Sequence, residues 1–321
     1  MKLKNILVSI PKLEGMQEAF TSALPQAAFT FNRAEKLSDQ ELARFDALVG
    51  NTNPEILEKM TDLKMLQLIS SGVSKEHLDF SVSRPGLVLC SASGAYGQAI
   101  SEHMLAALMA LLKRLHEYRD DMQTAVWQSR GAVKSPRGLK ILIVGAGSIG
   151  SEFAKLMQKL GSRTIGLRRS PGGSMDGFDE VYTMERLDSL LPLADVVALS
   201  LPETPDTINL MDERRFALMK PGSYLLNVGR GSAVDQDALL HALRSGHLAG
   251  ASIDVTTPEP LPKDHPLWQE KNLLLTPHIA GFFHLRATYD NVIDIAIQNL
   301  KAWPEGPFIA KTDVKTGYRE R

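Results

Sequence analysis

The order of apolar and polar positions divides the chain into two β/α series. In the first, β-rich runs at Asn5–Ser9, Ala47–Gly50, 65–70 and 87–91 predict strands, and 14–24 and 54–60 predict helices. The second of these helices opens on Asn53-Pro54. That pair is a capping side chain followed by a proline at the first helical position, where a missing N–H costs nothing. A long apolar helical pattern covers about 98–122, and the Gly-, Pro- and Lys-containing stretch 130–140 reads as a loop. The second series predicts strands at Lys140–Val144, 163–167, 196–201, 224–228, 250–254 and 273–276. Several are apolar at every position, the pattern of strands covered on both faces. Helical periodicity returns at 285–303, and 311–321 reads as a loose polar tail. Strands alternating with helices imply parallel sheets, so the expected fold class is α/β.

Composition narrows the class. The chain has 321 residues, enough for two domains of ordinary size, and 44% hydrophobic with 23% charged residues is a globular balance rather than a disordered one. A net charge of -1 gives no basis for nucleic acid or an anionic membrane as partner. The longest apolar run, 104–112, is far short of the roughly 20 residues of a membrane helix. The N-terminal apolar run lacks the small-residue cleavage site of a signal peptide and reads as a first strand. The single cysteine, Cys90, cannot form an intramolecular disulfide, so the expected location is a reducing one, the cytoplasm. His77, His116, His241, His247, His265 and His284 are scattered without metal-ligand spacing, and no metal is expected.

The strand at Lys140–Val144 runs into Gly145-Ala146-Gly147-Ser148-Ile149-Gly150, and a helix-like stretch follows at 151–160. A G-x-G-x-x-G in that context is a dinucleotide fingerprint. Gly145 permits the tight turn, Gly147 lets the pyrophosphate approach, and Gly150 lets helix and strand pack closely. The amides of Ser148 and Ile149 then point at phosphate oxygens. About 20 residues on, the position that carries an Asp or Glu in NAD-binding sites holds Arg168, followed by Arg169 and Ser170. An arginine cannot accept from a ribose hydroxyl, but two guanidinium groups and a serine can bind a 2′-phosphate. The expected cofactor is therefore NADP(H), with NAD(H) as the lesser alternative.

Three later strands end in polar residues: Gly229-Arg230-Gly231, then Pro258-Glu259-Pro260, then Pro277-His278-Ile279. In an open parallel sheet the strand C-termini share one edge, where ligands bind. An imidazole at His278 can give or take the proton of a keto/hydroxy pair. Glu259 on its other ring nitrogen favours the imidazolium. Arg230 offers a rigid fork for a carboxylate and polarises the adjacent carbonyl. Gly229 and Gly231 are read as leaving room for substrate.

Taken in order, these segments resemble the D-isomer-specific 2-hydroxyacid dehydrogenase family over nearly the whole chain. The resemblance rests on Gly145 to Gly150, Leu201-Pro202-Glu203-Thr204-Pro205-Asp206-Thr207, Leu226-Asn227-Val228-Gly229-Arg230-Gly231, Ile253-Asp254-Val255 with Pro258-Glu259-Pro260-Leu261, Pro266-Leu267-Trp268, and Thr276-Pro277-His278-Ile279-Ala280-Gly281. It implies two doubly wound parallel-sheet domains. One is a flavodoxin-like substrate domain, 1–99 plus 286–321, and the other a Rossmann nucleotide-binding domain, 100–285. It implies Arg230 as the substrate-binding arginine, His278 as acid/base and Glu259 as its partner. Asp254 is implied to bind the nicotinamide carboxamide, and the amides of Ser71, Gly72 and Val73 the substrate carboxylate. Further cofactor contacts are implied at Leu201, Pro202, Thr207, Val228, Gly229, His278, Ala280 and Gly281. The family is commonly homodimeric through the nucleotide domain.

The expected activity is NADPH-dependent reduction of a small 2-keto acid, such as glyoxylate, hydroxypyruvate or a bulkier homologue, to the D-2-hydroxy acid. A formate dehydrogenase of the same fold carries a glutamine beside the histidine, and Glu259 argues against it. A phosphoglycerate dehydrogenase with a regulatory domain is disfavoured because the chain ends soon after the closing helix. A nucleotide-sensing, corepressor-like protein keeps the fold but usually adds long disordered extensions. Phe282-Phe283-His284 depart from the small or hydroxyl residues common after Gly281, and have two readings, pocket lining or packing. Glu102-His103 lie in the apolar helix and are read as structural, since helix neighbours point about 100° apart. Trp127 borders either the site or a dimer interface.

Overall fold

Strands with consecutive apolar residues turn successive side chains to opposite faces, so each strand must serve two apolar layers. A computed structural model of the chain, which describes residues 2–170, 175–314 and 320, builds both layers. The chain divides into two compact units, Met1–Tyr96 with Phe283–Arg321, and Gly97–Phe282.

The first unit holds β1 (Asn5–Ser9), β2 (Ala28–Phe31), β3 (Ala47–Gly50), β4 (Met65–Gln67) and β5 (Val88–Cys90), all parallel, in the order β2-β1-β3-β4-β5. This is the flavodoxin-like order. Ile6, Val8, Ala47, Val49, Met65 and Cys90 point into one layer, and Leu7, Leu48, Leu66 and Leu89 into the other. The first layer is closed by Met16 and Phe20 of α1 (Met16–Ala23). The C-terminal helix (Arg286–Ala302) adds Tyr289, Ile293, Ala296, Ile297 and Leu300, one helical stripe. Leu42 of α2 (Asp39–Leu42), Leu57 of α3 (Pro54–Lys59) and Phe80 of α4 (Lys75–Ser83) close the second. Phe20 is wholly buried against Phe29 and Phe31, and its truncation to Ala would cost about 3–5 kcal/mol. Asn53 caps α3 through the Ile56 amide with Pro54 in the first turn, as the dipeptide predicts.

The second unit holds β6 (Lys140–Val144), β7 (Arg163–Arg168), β8 (Glu180–Thr183), β9 (Val196–Leu199), β10 (Ser223–Asn227), β11 (Leu248–Ile253) and β12 (Leu273–Leu275). They form one parallel sheet, β12-β11-β10-β9-β6-β7-β8. The strand order reverses between β6 and β9, and ligands bind beyond the strand C-termini at such a switch point. The helices are α5 (Gly97–Leu112), α6 (Leu115–Gln123), α7 (Ser148–Lys159), α8 (Leu187–Leu190), α9 (Glu213–Leu218) and α10 (Gln236–Arg244).

Three expectations need correction. The single helix over 98–122 is two, α5 and α6, broken at Arg114, which takes a left-handed conformation with φ 58°. The apolar stripe Ile100, Met104, Leu108, Leu111 ends there, and the Arg114 guanidinium forks onto Glu117 at 2.7 and 2.9 Å. β2 and β8 fall outside the expected strands because both are four-residue edge strands, mostly half-exposed, whose apolar positions are interrupted by Thr30 in β2 and bounded by Glu180 and Thr183 in β8. The loose tail does not begin at 311: Lys311 bridges Cys90, and Thr312 donates to the Leu89 carbonyl along the edge of β5. Of that tail, 315–319 and 321 lie outside the described residues. Among the described residues no helix is long and apolar enough to cross a membrane, and no cluster of three His, Cys, Asp or Glu could hold a metal.

Candidate active site

The glycine turn sits where β6 gives way to α7, and each glycine meets different surroundings. Gly145 has φ 109°, and a Cβ there would lie 2.8 Å from the Ser200 carbonyl oxygen. At Gly150 a Cβ would come within 2.3 Å of the Gly145 carbonyl oxygen and 2.9 Å of Ile143. Both are demanded by packing. A Cβ at Gly147 would meet no atom of the described residues within 4 Å, so among them this residue fronts open space. Gly147 is also the N-cap of α7, and no side chain caps that helix. The amides of Ser148 and Ile149 donate to no other described residue. A diphosphate fits this cradle, which offers uncapped N–H groups, a helix dipole and no side chain in front.

Arg168 ends β7, half-buried, and its Nη1 donates to the Met175 thioether at 3.2 Å. A thioether is a weak acceptor for a guanidinium, which leaves the fork available to a stronger one. Arg169 is exposed, Ser170 is half-buried, and 171–174 lie outside the described residues. In the loop after β9, which carries Leu201 and Pro202, the Thr207 hydroxyl donates to the Pro202 carbonyl at 2.9 Å and accepts from the Thr204 amide at 2.8 Å. Thr207 therefore staples that loop from within.

The ends of β10, β11 and β12 carry the ionisable residues. Glu259 Oε1 accepts from the Thr256 amide at 3.0 Å, and Oε2 lies 2.8 Å from Nδ1 of His278. The backbone N–H thus aims the carboxylate, and the carboxylate aims the ring, leaving Nε2 as the outward nitrogen. His278 itself holds φ 54°, an unusual conformation for a residue with a Cβ. Asp254 stabilises it. Its Oδ1 accepts from the Thr276 hydroxyl at 2.6 Å and the Ile279 amide at 2.9 Å, its Oδ2 from the Ala280 amide at 2.9 Å, and its carbonyl from the His278 amide at 2.7 Å. Asp254 and Ala280 are buried, while Gly281 is half-buried.

Arg230 follows β10 through Val228 and Gly229, and its Nη1 donates to the Gly229 carbonyl at 2.8 Å. The glycines beside it do not serve to leave room for substrate. A Cβ at Gly229 would lie 2.6 Å from the Leu201 carbonyl oxygen, and one at Gly231 would lie 2.1 Å from the Thr256 carbonyl. The arginine turn is wedged between the β9 loop and the Glu259 loop, and only glycine allows both approaches.

Ser71, Gly72 and Val73 lie in the first unit, between β4 and α4. Asn51 holds this loop through the Ile69 amide at 2.9 Å and the Ser70 hydroxyl at 3.0 Å. The amides of Ser71, Gly72 and Val73 donate to no other described residue. Of the two readings of the aromatic run, packing holds for Phe283. Its ring meets Tyr289 edge-on at 5.4 Å and Tyr96 at 6.5 Å, against the first unit's core. Asn227, Thr256 and Thr276 carry no charge and escape a sequence reading, which has no way to pair residues far apart. His103, read as structural, has Nε2 3.3 Å from the Thr276 hydroxyl and so joins the Asp254 network.

The family profile described as "D-isomer specific 2-hydroxyacid dehydrogenase, NAD binding domain" matches residues 105–280. A D-3-phosphoglycerate dehydrogenase of Escherichia coli is 32% identical over 87% of this chain and 70% of its own length. A glyoxylate reductase of Thermofilum pendens is 30% identical over 73% of this chain and 70% of its own. A crystal structure of a D-isomer specific 2-hydroxyacid dehydrogenase family protein from Aeromonas salmonicida is 31% identical and superposes with a TM-score of 0.85, covering 98% of this chain and 100% of that one. Fold, glycine turn and sequence likeness converge: the chain belongs to the D-isomer specific 2-hydroxyacid dehydrogenases, a family of NAD(P)-dependent oxidoreductases.

Proposed function

We propose that this enzyme reduces a small 2-keto acid to the D-2-hydroxy acid, with NADPH preferred over NADH, His278 as proton donor, Glu259 as its partner and Arg230 as carboxylate ligand. The observation that carries the reading is the Glu259–His278 contact of 2.8 Å on the same sheet edge as the glycine turn. A nicotinamide cofactor held by the glycine turn would supply the hydride for the keto carbon. His278 Nε2 then gives its proton to the carbonyl oxygen as charge develops there, and Glu259 on Nδ1 holds the ring's orientation. Arg230 binds the carboxylate beside that carbonyl and draws electron density from it. The same proposal gives the amides of Ser71, Gly72 and Val73 to the substrate carboxylate and Asp254 to the nicotinamide carboxamide.

NADPH preference is supported by Arg168 at the end of β7, where an acidic residue would hold the ribose of NAD. Assembly as a homodimer is supported by exposed apolar residues on and after α6, namely Leu115, Met122, Val126, Trp127 and Val133. Work in the cytoplasm fits the single cysteine, a buried thiol.

The test is oxidation of NADPH and NADH, measured separately, with glyoxylate, hydroxypyruvate, pyruvate, phenylpyruvate and 2-ketoisocaproate. Turnover with NADPH above NADH is the expected result, reversed in an Arg168→Asp variant. Equal turnover with both cofactors refutes the 2′-phosphate reading alone. Activity confined to 3-phosphoglycerate or its keto acid would move the enzyme to the substrate named for its Escherichia coli relative.

A further inference from the structure

We infer that Asn227 is a positioning residue for Arg230, acting through the backbone of the turn that carries it. The inference rests on the proposed role of Arg230 as carboxylate ligand. Asn227 is the last residue of β10 and is completely buried. Its main chain is held by the sheet edge, its carbonyl accepting from the Asp254 amide at 2.9 Å. Its side chain bonds the turn at two points. Oδ1 accepts from the Gly229 amide at 3.0 Å, and Nδ2 donates to the Arg230 carbonyl at 3.0 Å. Arg230 Nη1 completes the knot by donating to the Gly229 carbonyl at 2.8 Å.

The turn has little other freedom. Gly229 is pressed against Leu201 and Gly231 against Thr256, so the backbone cannot translate. What remains is rotation of the peptide planes around residues 229 and 230, and this is what the amide fixes. Rotation there swings the root of the arginine side chain, and a long side chain converts a small angle into a large displacement of its fork. Bidentate recognition tolerates only about 0.5 Å and 10–20° of error.

The chemistry selects asparagine. The Gly229 N–H needs an acceptor and the Arg230 carbonyl needs a donor, on one short side chain. Aspartate has two acceptors and would set an oxygen against the Arg230 carbonyl. An apolar isostere would leave the Gly229 N–H buried without a partner, which proteins rarely tolerate, and the Arg230 carbonyl with only the Ala233 amide at 3.2 Å.

The test compares Asn227→Asp, Asn227→Ser and Arg230→Lys with the unaltered enzyme, reading KM for glyoxylate, kcat and the Kd for NADPH from nicotinamide fluorescence. Asn227→Asp keeps the acceptor and loses the donor, and Asn227→Ser, with a single hydroxyl on a shorter side chain, cannot bond both turn groups at once and adds no charge. Both should raise KM by about tenfold, the effect of one lost hydrogen bond, with Kd for NADPH within about twofold. Arg230→Lys should raise KM by more. If Arg230→Lys raises KM and neither Asn227 variant does, the positioning role is overturned while the functional reading stands. If Kd for NADPH rises in step with KM, Asn227 supports the cofactor domain at large and the inference is also overturned. If Arg230→Lys leaves KM unchanged, or the unaltered enzyme turns over no keto acid, the reading of Arg230 fails and this inference with it.

Discussion

Replacing Gly231 with alanine should damage catalysis more than folding. The residue has ordinary φ, so the effect is steric and not conformational. The added methyl would stand 2.1 Å from both the carbonyl carbon and oxygen of Thr256, where ordinary contact begins near 3.4 Å. The obstacle is backbone, which cannot rotate aside as a side chain does. The arginine turn and the Glu259 loop must therefore part by roughly 1 Å, which displaces Arg230, Glu259 and, through the 2.8 Å contact, His278. Misplacement of about 1 Å can cost on the order of 10²-fold in rate. That corresponds to about 2.7 kcal/mol of transition-state stabilisation. Steady-state kinetics with NADPH and the best keto acid measure the loss in kcat/KM, and nicotinamide fluorescence measures cofactor binding. Binding should weaken far less, because Gly147 and the amides of Ser148 and Ile149 sit at the start of α7 and not on the two loops that part. A Gly231→Ala enzyme with kcat/KM within about threefold of the original would refute the claim that this approach sets the active geometry.

Three further outcomes are expected. His278→Gln should lower kcat by about 10²–10⁴-fold with a far smaller change in NADPH binding, and a loss below tenfold would remove the histidine from proton transfer. Trp127 is wholly exposed in the single chain, so Trp127→Ser should shift the sedimentation of a dimer toward monomer; an unchanged sedimentation coefficient would place the interface elsewhere. Burial pushes the Cys90 thiol up to about 12, so the native protein should not react with a thiol-specific disulfide reagent at pH 8, and unfolding should release one reactive thiol. Because the folded-state value is the raised one, this group's stabilisation is complete below the ordinary value of 9.0 and is lost as pH climbs toward 12. Urea midpoints measured at pH 8 and pH 10.5 should fall accordingly, and a rising midpoint would contradict the assignment.

The sequence reveals those parts of the molecule whose cause is local. A strand buried on both faces shows itself as an apolar run, as in Leu225 and Leu226 of β10 or Ile141 to Val144 of β6. The glycine turn is legible because strand, turn and helix are contiguous. β2 and β8 are illegible for the opposite reason, since an edge strand needs no apolar run and its partners lie elsewhere in the chain. The break at Arg114 is hidden because a left-handed arginine has no composition signal. The charged triad suggests itself by chemistry, whereas Asn227, Thr256 and Asp254 hold it by hydrogen bonds across loops. The same limit explains the glycines beside Arg230, whose need comes from the backbones of Leu201 and Thr256 and not from any ligand.

The three glycines of the β6 turn also differ in what would preserve them through descent. Gly145 and Gly150 are required by neighbouring atoms of the protein itself, so a lineage that stopped using a nucleotide would still keep them in order to fold. Gly147, with φ -95° and empty space before it, would be free to drift to alanine or serine. Among chains of this architecture, the middle glycine is therefore the letter that reports continued nucleotide use, and the outer pair reports only ancestry.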